Sequence, residues 1–260
     1  TLRRHGLDLE LSFLSGLLFL INTAHFRALH WITITNYVLA LIFSLMLLIF
    51  YTRFLDTQKK SNLALSILLL ALAIFSHPSA VSITPFCIYL TWRRTNRVGQ
   101  TLFASLPLAL ATPILIFLAF TASPGAPQNE GAFVVPDLLR LPKNLFWYLG
   151  RLITTACWIT RGTVSNQAYP LEIVLGVVAV VATLILYRNR IFPVADWAVW
   201  MVLAILPFLN NPVTRLAFGP SRQLYFASAG ASVLTAWALR TWIHRFKLGS
   251  ATMRLVFVCL

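Results

Sequence analysis

No Asp, Glu, Lys or Arg occurs between Ile32 and Tyr51, between Leu63 and Trp92, or between Thr101 and Ala122. Apolar runs of this length constrain the chain more than any other feature. About 20 helical residues cross a bilayer core, and the apolar residues follow one another instead of alternating with polar ones. Composition agrees: 58% of residues are hydrophobic and 11% are charged, against about 25% charged in a soluble domain. A surface so poor in charge would not stay dissolved. The sequence therefore predicts an all-α fold, a polytopic transmembrane helical bundle, and excludes a soluble domain.

The formal net charge of +14 would suggest nucleic acid in a soluble protein. Here the cations sit in short clusters between apolar runs, so membrane topology explains them and no nucleic-acid partner is expected. Cys87, Cys157 and Cys259 each lie in an apolar stretch without metal-ligand spacing, and read as small buried side chains. The chain starts at Thr1 without Met and stops inside the apolar run LVFVCL. It is expected to be an internal fragment, one transmembrane domain over residues 1–260.

Spans are predicted at Leu11–Ala24 and Ile32–Tyr51. The stretch from Leu63 to Trp92 is too long for one crossing and is broken by Ser76-His77-Pro78-Ser79. A single crossing would separate Lys59 and Lys60 from Arg93 and Arg94, whereas a hairpin of two short helices keeps them on one side, as the positive-inside rule prefers. Further spans are Thr101–Ala122, Leu171–Tyr187, Phe192–Leu209 and Leu224–Thr241, and another starts near Met253. The count is about eight spans plus a truncated ninth. An outer loop with a candidate interfacial helix occupies residues 123–170, where Leu145–Thr160 mixes Arg151 with aromatics. This arrangement places roughly twice as many cations on the inner side as on the outer. Trp31, Tyr51, Trp92, Trp147, Trp197 and Trp242 fall near span ends, as an aromatic belt does.

Polar chemistry gathers on the outer face. Its candidates are His25, Arg27 and His30 in the first turn, His77 in the hairpin turn, and Arg215, Arg222 and Tyr225 in the last outer loop. Ionisable groups at membrane depth mark functional sites. Blander readings stand beside each: His25 and His30 as interfacial residues, Arg27 and Arg222 snorkelling to lipid phosphate, His77-Pro78 as helix breaker and cap. His25 and His30, five apart, do not share a helical face well enough to hold a metal, and no metal site is expected within the chain. Ala227 to Ser232 read as a close-packing stripe. The acids are Asp8, Glu10, Asp56, Glu130, Asp137, Glu172 and Asp196, none of them paired at catalytic spacing. No P-loop, dinucleotide turn, HExxH or GxSxG occurs.

Three stretches, LSFLSGLLFLINTAHFRALHWITITNYVLALIFSLMLLIFY, LALSILLLALAIFSHPSAVSITPFCIYLTWRR and FGPSRQLYFASAGASVLTAWAL, resemble in order the HPxHxE, SKE and ERYLY regions of transmembrane O-mannosyltransferases with C-terminal TPR repeats and of their bacterial relatives. These belong to the GT-C class of membrane glycosyltransferases. His25 matches the second His of HPxHxE, and Trp31 a following Trp. Ser76 matches the Ser of SKE, while Arg222 and Tyr225 match the Arg and second Tyr of ERYLY. Arg27 stands where the family has Glu, His77-Pro78 where it has Lys-Glu, Ser221 and Gln223 where it has Glu and Tyr, so the chain is a divergent member.

The resemblance implies transfer of a sugar from a polyprenyl-phosphate donor to an acceptor on the extracytoplasmic face. The expected location is the bacterial cytoplasmic membrane, with membrane lipid and the lipid-linked donor as partners. Arg222, Arg27, His77, His25 and Tyr225 are the expected substrate-binding residues. The catalytic acid is expected in an outer loop upstream of residue 1, and a divalent metal, where one is used, outside the fragment. The departures keep a second reading open, a non-catalytic multispan membrane protein: a degenerate relative, a scaffold, or a transporter. A transporter usually has paired repeats, and only one broken hairpin is present.

Overall fold

The computed structural model describes residues 8–22, 35–121, 140–156, 170–188, 192–209 and 221–245. Among these residues every regular element is helical. In chain order they are α1 (Leu9–Leu20), α2 (Thr35–Thr57), α3 (Lys60–Ser76), α4 (Ile83–Thr95), α5 (Val98–Thr121), α6 (Arg140–Ala156), α7 (Pro170–Arg188), α8 (Phe192–Ile205) and α9 (Ser221–Arg245), with 3-10 turns at Pro78–Ser82 and Leu206–Phe208. Two of them, α2 and α5, are long and apolar enough to cross a membrane.

The turn between α3 and α4 shows how local chemistry sets the path. The His77 N–H closes α3 on the Ala73 carbonyl at 2.9 Å. Preceding a proline, His77 is pushed out of the helical region and takes φ −157, ψ 129. Pro78 then opens the 3-10 turn, at a position where its missing N–H costs nothing. The chain reverses, and α4 descends beside α2. Tyr51 on α2 shares a 2.7 Å hydrogen bond with Thr91 on α4. Arg94 donates to the Thr52 carbonyl at 3.3 Å and pairs with Asp56 at 2.6 Å. The turn at Gln58–Lys59 and the turn at Asn96 therefore lie at the same end of the bundle, as the hairpin reading requires. Both turns use a left-handed non-glycine residue, Gln58 (φ 54) and Asn96 (φ 49).

Arg240 of α9 pairs with Asp8 at the start of α1, and Arg93 pairs with Asp196 near the start of α8 at 3.0 Å. The start of α1, the ends of α2, α4 and α9, and the start of α8 thus share one end, the Arg94 end. At the opposite end, the His77 end, Tyr37 of α2 stacks on His77 with ring centroids 3.7 Å apart.

The core sits around α8, which touches α9, α7, α4, α6 and the Pro78–Ser82 turn. Trp197 and Trp200 are buried there against Phe86 and Phe226. Small residues let backbones approach closely. A Cβ on Gly230 would collide with the Trp197 carbonyl. Gly150 presses on the backbone of Glu172 and Gly176 on that of Phe146, a reciprocal pair that seats α6 antiparallel to α7.

Helix α5, on the edge, is built the other way round from a helix that faces water. Its buried positions are Thr101, Ser105, Leu108 and Thr112, spaced by four, three and four on one face. Thr112 meets Thr84 at 2.7 Å and Thr101 meets Thr95 at 2.9 Å. Leu102, Phe103, Leu106, Leu110, Ile114 and Phe117 point outward, all exposed. Exposed Val174, Val177, Val178, Val181, Leu184 and Ile185 repeat this on α7.

Candidate functional site

The His77 end collects neutral polar and aromatic groups from five elements. Phe19, near the end of α1, meets Tyr225 of α9 edge-on at 5.7 Å. Tyr37 reaches His77, and Tyr148 stands on α6. The Tyr148 hydroxyl donates to Gln223 Oε1 at 2.8 Å. Asn144, one turn earlier on α6, donates to the Leu209 carbonyl at 2.7 Å, answering a backbone acceptor at the end of the Leu206–Phe208 turn. Tyr148, Tyr225 and Asn144 are buried.

Of the residues singled out in the sequence, His77 and Tyr225 fall in this cluster. His77 Nδ1 accepts the Ser79 N–H at 3.1 Å and lies 2.7 Å from the Ser79 hydroxyl. With Nδ1 accepting, the neutral ring carries its proton on Nε2. The cap role weighed from the sequence is thus present in the structure. The backbone of Arg222 lies in the first turn of α9, beside Gln223; its side chain lies outside what the structure describes. His25 and Arg27 also lie outside the described residues, as do His30 and Arg215.

Sequence reading missed Tyr37, Tyr148 and Gln223. Tyr37 sits in an apolar run, Tyr148 in the aromatic-rich Leu145–Thr160 stretch, and Gln223 reads only as a departure from a family motif. No local signal marks a tyrosine whose partner is 75 residues away.

Four of the acids among the described residues form ion pairs, while Glu130 and Asp137 lie outside the described residues. Asp8, Asp56, Glu172 and Asp196 each face an arginine on another helix: Arg240, Arg94, Arg151 and Arg93. Asp196 is 1% exposed and also accepts from the Tyr89 hydroxyl at 3.0 Å. Arg151 holds Glu172 at 3.3 Å with both side chains largely buried. Asp8 caps α1 by accepting the Leu11 N–H at 2.8 Å. That bond, with Arg240 second, holds its carboxyl below the ordinary aspartate value. Glu10 is exposed and belongs to none of these pairs. Among the described residues no group of three or more His, Cys, Asp or Glu is placed to hold a metal.

Compared with protein-family models, curated proteins and solved structures, the chain matches none.

Proposed function

We propose that the chain is a multipass integral membrane protein of about eight spans plus a ninth, with its Arg94 end cytoplasmic. Support comes from α5 and α7, whose large apolar side chains face outward. Contiguous apolar surface on this scale is unusual for a soluble monomer. Hydroxyls turned inward and Leu, Ile and Phe turned outward are what lipid contact favours. The cations Arg53, Lys59, Lys60, Arg93, Arg94 and Arg97 lie on the Arg94 end, which the positive-inside rule assigns to the cytoplasm.

Within that frame the proposed activity is transfer of a sugar from a polyprenyl-phosphate donor at the His77 end, which faces outward. The observation that carries it is convergence. The three stretches that resemble GT-C enzymes meet there through two ring contacts, Phe19 with Tyr225 and Tyr37 with His77. In the reaction the acceptor oxygen bonds to the anomeric carbon as the carbon–oxygen bond to phosphate breaks. The hydroxyl proton passes to a base, and the electron pair leaves with the lipid phosphate, which cations stabilise. Arg222 is the proposed phosphate contact: a guanidinium donates two parallel hydrogen bonds to phosphate, and the first turn of a helix adds partial positive charge. Four described acids are committed to arginines, so the proposed base is not one of these four and stays with the expected upstream outer loop. That commitment also favours the second reading, a relative that binds lipid phosphate without catalysis.

The test is transfer in vesicles bearing the full-length protein, supplied with labelled polyprenyl-phosphate sugars. Label on an acceptor, lost in Arg222→Ala with insertion intact, is the expected result. A folded protein that transfers from no donor favours the non-catalytic relative.

A further inference from the structure

We propose that the two turns at the Arg94 end form a binding site for the phosphodiester headgroup of an anionic phospholipid. The inference rests on the membrane reading above. The α2–α3 turn and the α4–α5 turn are clamped together by Arg94, which holds both Asp56 and the Thr52 carbonyl. Around that clamp stand Arg53, Lys59, Lys60, Arg93, Arg94 and Arg97 against two carboxylates, Asp56 and Asp196. Those carboxylates are taken by Arg94 and Arg93. Among the described residues Arg53, Lys59, Lys60 and Arg97 have no carboxylate in an ion pair, and all four are exposed. Arg53 lies over the Phe50 ring at 5.3 Å, which fixes its charge beside the apolar wall of α2.

Position selects the ligand. Immediately along the chain from Arg97, Val98, Leu102 and Phe103 are exposed and apolar, and Trp92 is exposed just before it. A ligand here meets cations at one level and hydrocarbon-compatible surface directly beneath. That is the profile of a phospholipid: anionic head, acyl chains below. A free phosphate would use the cations and gain nothing from the apolar wall. The clamp also matters for geometry. Arg94, on Asp56 and on the Thr52 carbonyl, holds the two turns and their cations side by side.

The experiment reconstitutes the full-length protein in vesicles of phosphatidylcholine with about one-third phosphatidylglycerol. It is then extracted in mild detergent, and the lipids retained are counted by mass spectrometry. Enrichment of phosphatidylglycerol over the bulk ratio is expected for the natural sequence. Each cation near an anionic surface contributes about five-fold in affinity, so Lys59→Gln with Lys60→Gln and Arg97→Gln should return retention to the bulk ratio. Arg188→Gln with Arg245→Gln, on α7 and α9, should keep the enrichment. Equal loss in both variants, or enrichment untouched by the triple change, overturns the site. Displacement by inorganic phosphate as readily as by soluble short-chain phosphatidylglycerol overturns the lipid assignment. A protein washed from the vesicles by carbonate refutes the membrane reading itself, whereas one retained without enrichment refutes this site alone.

Discussion

Helices α5 and α8 are both apolar, yet they occupy opposite situations. On α8 the large groups Trp197, Trp200 and Met201 are buried and neighbours cover it on most sides. On α5 the large groups are bare, and the inward stripe is Thr101, Ser105, Leu108 and Thr112. Apolar content alone cannot separate these two cases. What separates them is which side the hydroxyls take. Helix α8 is held by volume and close backbone approach, whereas α5 is held by small groups and inter-helix hydroxyl bonds. In water the exposed face of α5 would drive aggregation; against lipid chains it is neutral.

The sharpest way to break the α8 side is steric. Gly230→Leu drives a side chain into the Trp197 carbonyl, and the nearest alternative space is taken by Met201. Backbone cannot swing aside as a flexible side chain does, so a loss of about 4 kcal/mol or more is expected. Reversible unfolding in detergent, or the yield of folded protein, reads it. Gly230→Ala should lie between the two.

The electrostatic counterpart is Asp196→Ala. Removing one member of a buried ion pair leaves the other uncompensated, with a cost of about 3 kcal/mol expected because Arg93 keeps 23% exposure. The pair should be worth much less than that. Asp196→Leu with Arg93→Leu should recover part of the loss, and a double-mutant cycle measures it. If the double variant is no better than Asp196→Ala, the cost belongs to Tyr89 and packing instead of the charge.

These two sites also show where sequence reasoning stops. The apolar runs, the break at His77-Pro78 and the common end of Lys59, Lys60, Arg93 and Arg94 were legible, because length and charge placement are local properties. Helix ends moved by several residues: α1 stops at Leu20, where a span to Ala24 was expected, and α2 runs on to Thr57. The ion pairs were not legible. Asp196 looked like an acid near a span start, and nothing adjacent to it names Arg93 as its partner. That pairing comes from α8 lodging against α4, a tertiary event. The candidate site was half legible. His77 and Tyr225 lie at the same end, but Tyr37, which stacks on His77, and Tyr148, which bonds Gln223, advertise nothing locally.

Helix α5 offers a test that also decides the environment. Leu110 is exposed near the middle of the helix. In water, Leu110→Lys would be harmless or would improve solubility. At the centre of a bilayer a lysine costs about 2.5–3.5 kcal/mol on insertion. Membrane integration assayed by glycosylation-site mapping should fall for Leu110→Lys and stay unchanged for Leu110→Phe. An unaffected lysine variant would place this face in water and undo the contrast with α8.

The smallest expected effect lies on the inward side of α5. Thr112 shares a hydrogen bond with Thr84 on α4 and donates back to the Leu108 carbonyl at 2.7 Å. Thr112→Val keeps the shape and removes the hydroxyl. Inter-helix hydroxyl bonds in lipid average about 0.6 kcal/mol, since the separated helices find other partners. Thr84 would turn to its own backbone, which limits the loss further. Thermal unfolding in detergent should therefore move only slightly. The double change Thr84→Val with Thr112→Val should cost no more than Thr112→Val alone, since neither hydroxyl is then left facing a lost partner. A loss several times larger would mean that α5 is fixed by its hydroxyls, not by fit, and that its inward stripe is as specific a contact as the close approach of Gly230 on α9 to α8.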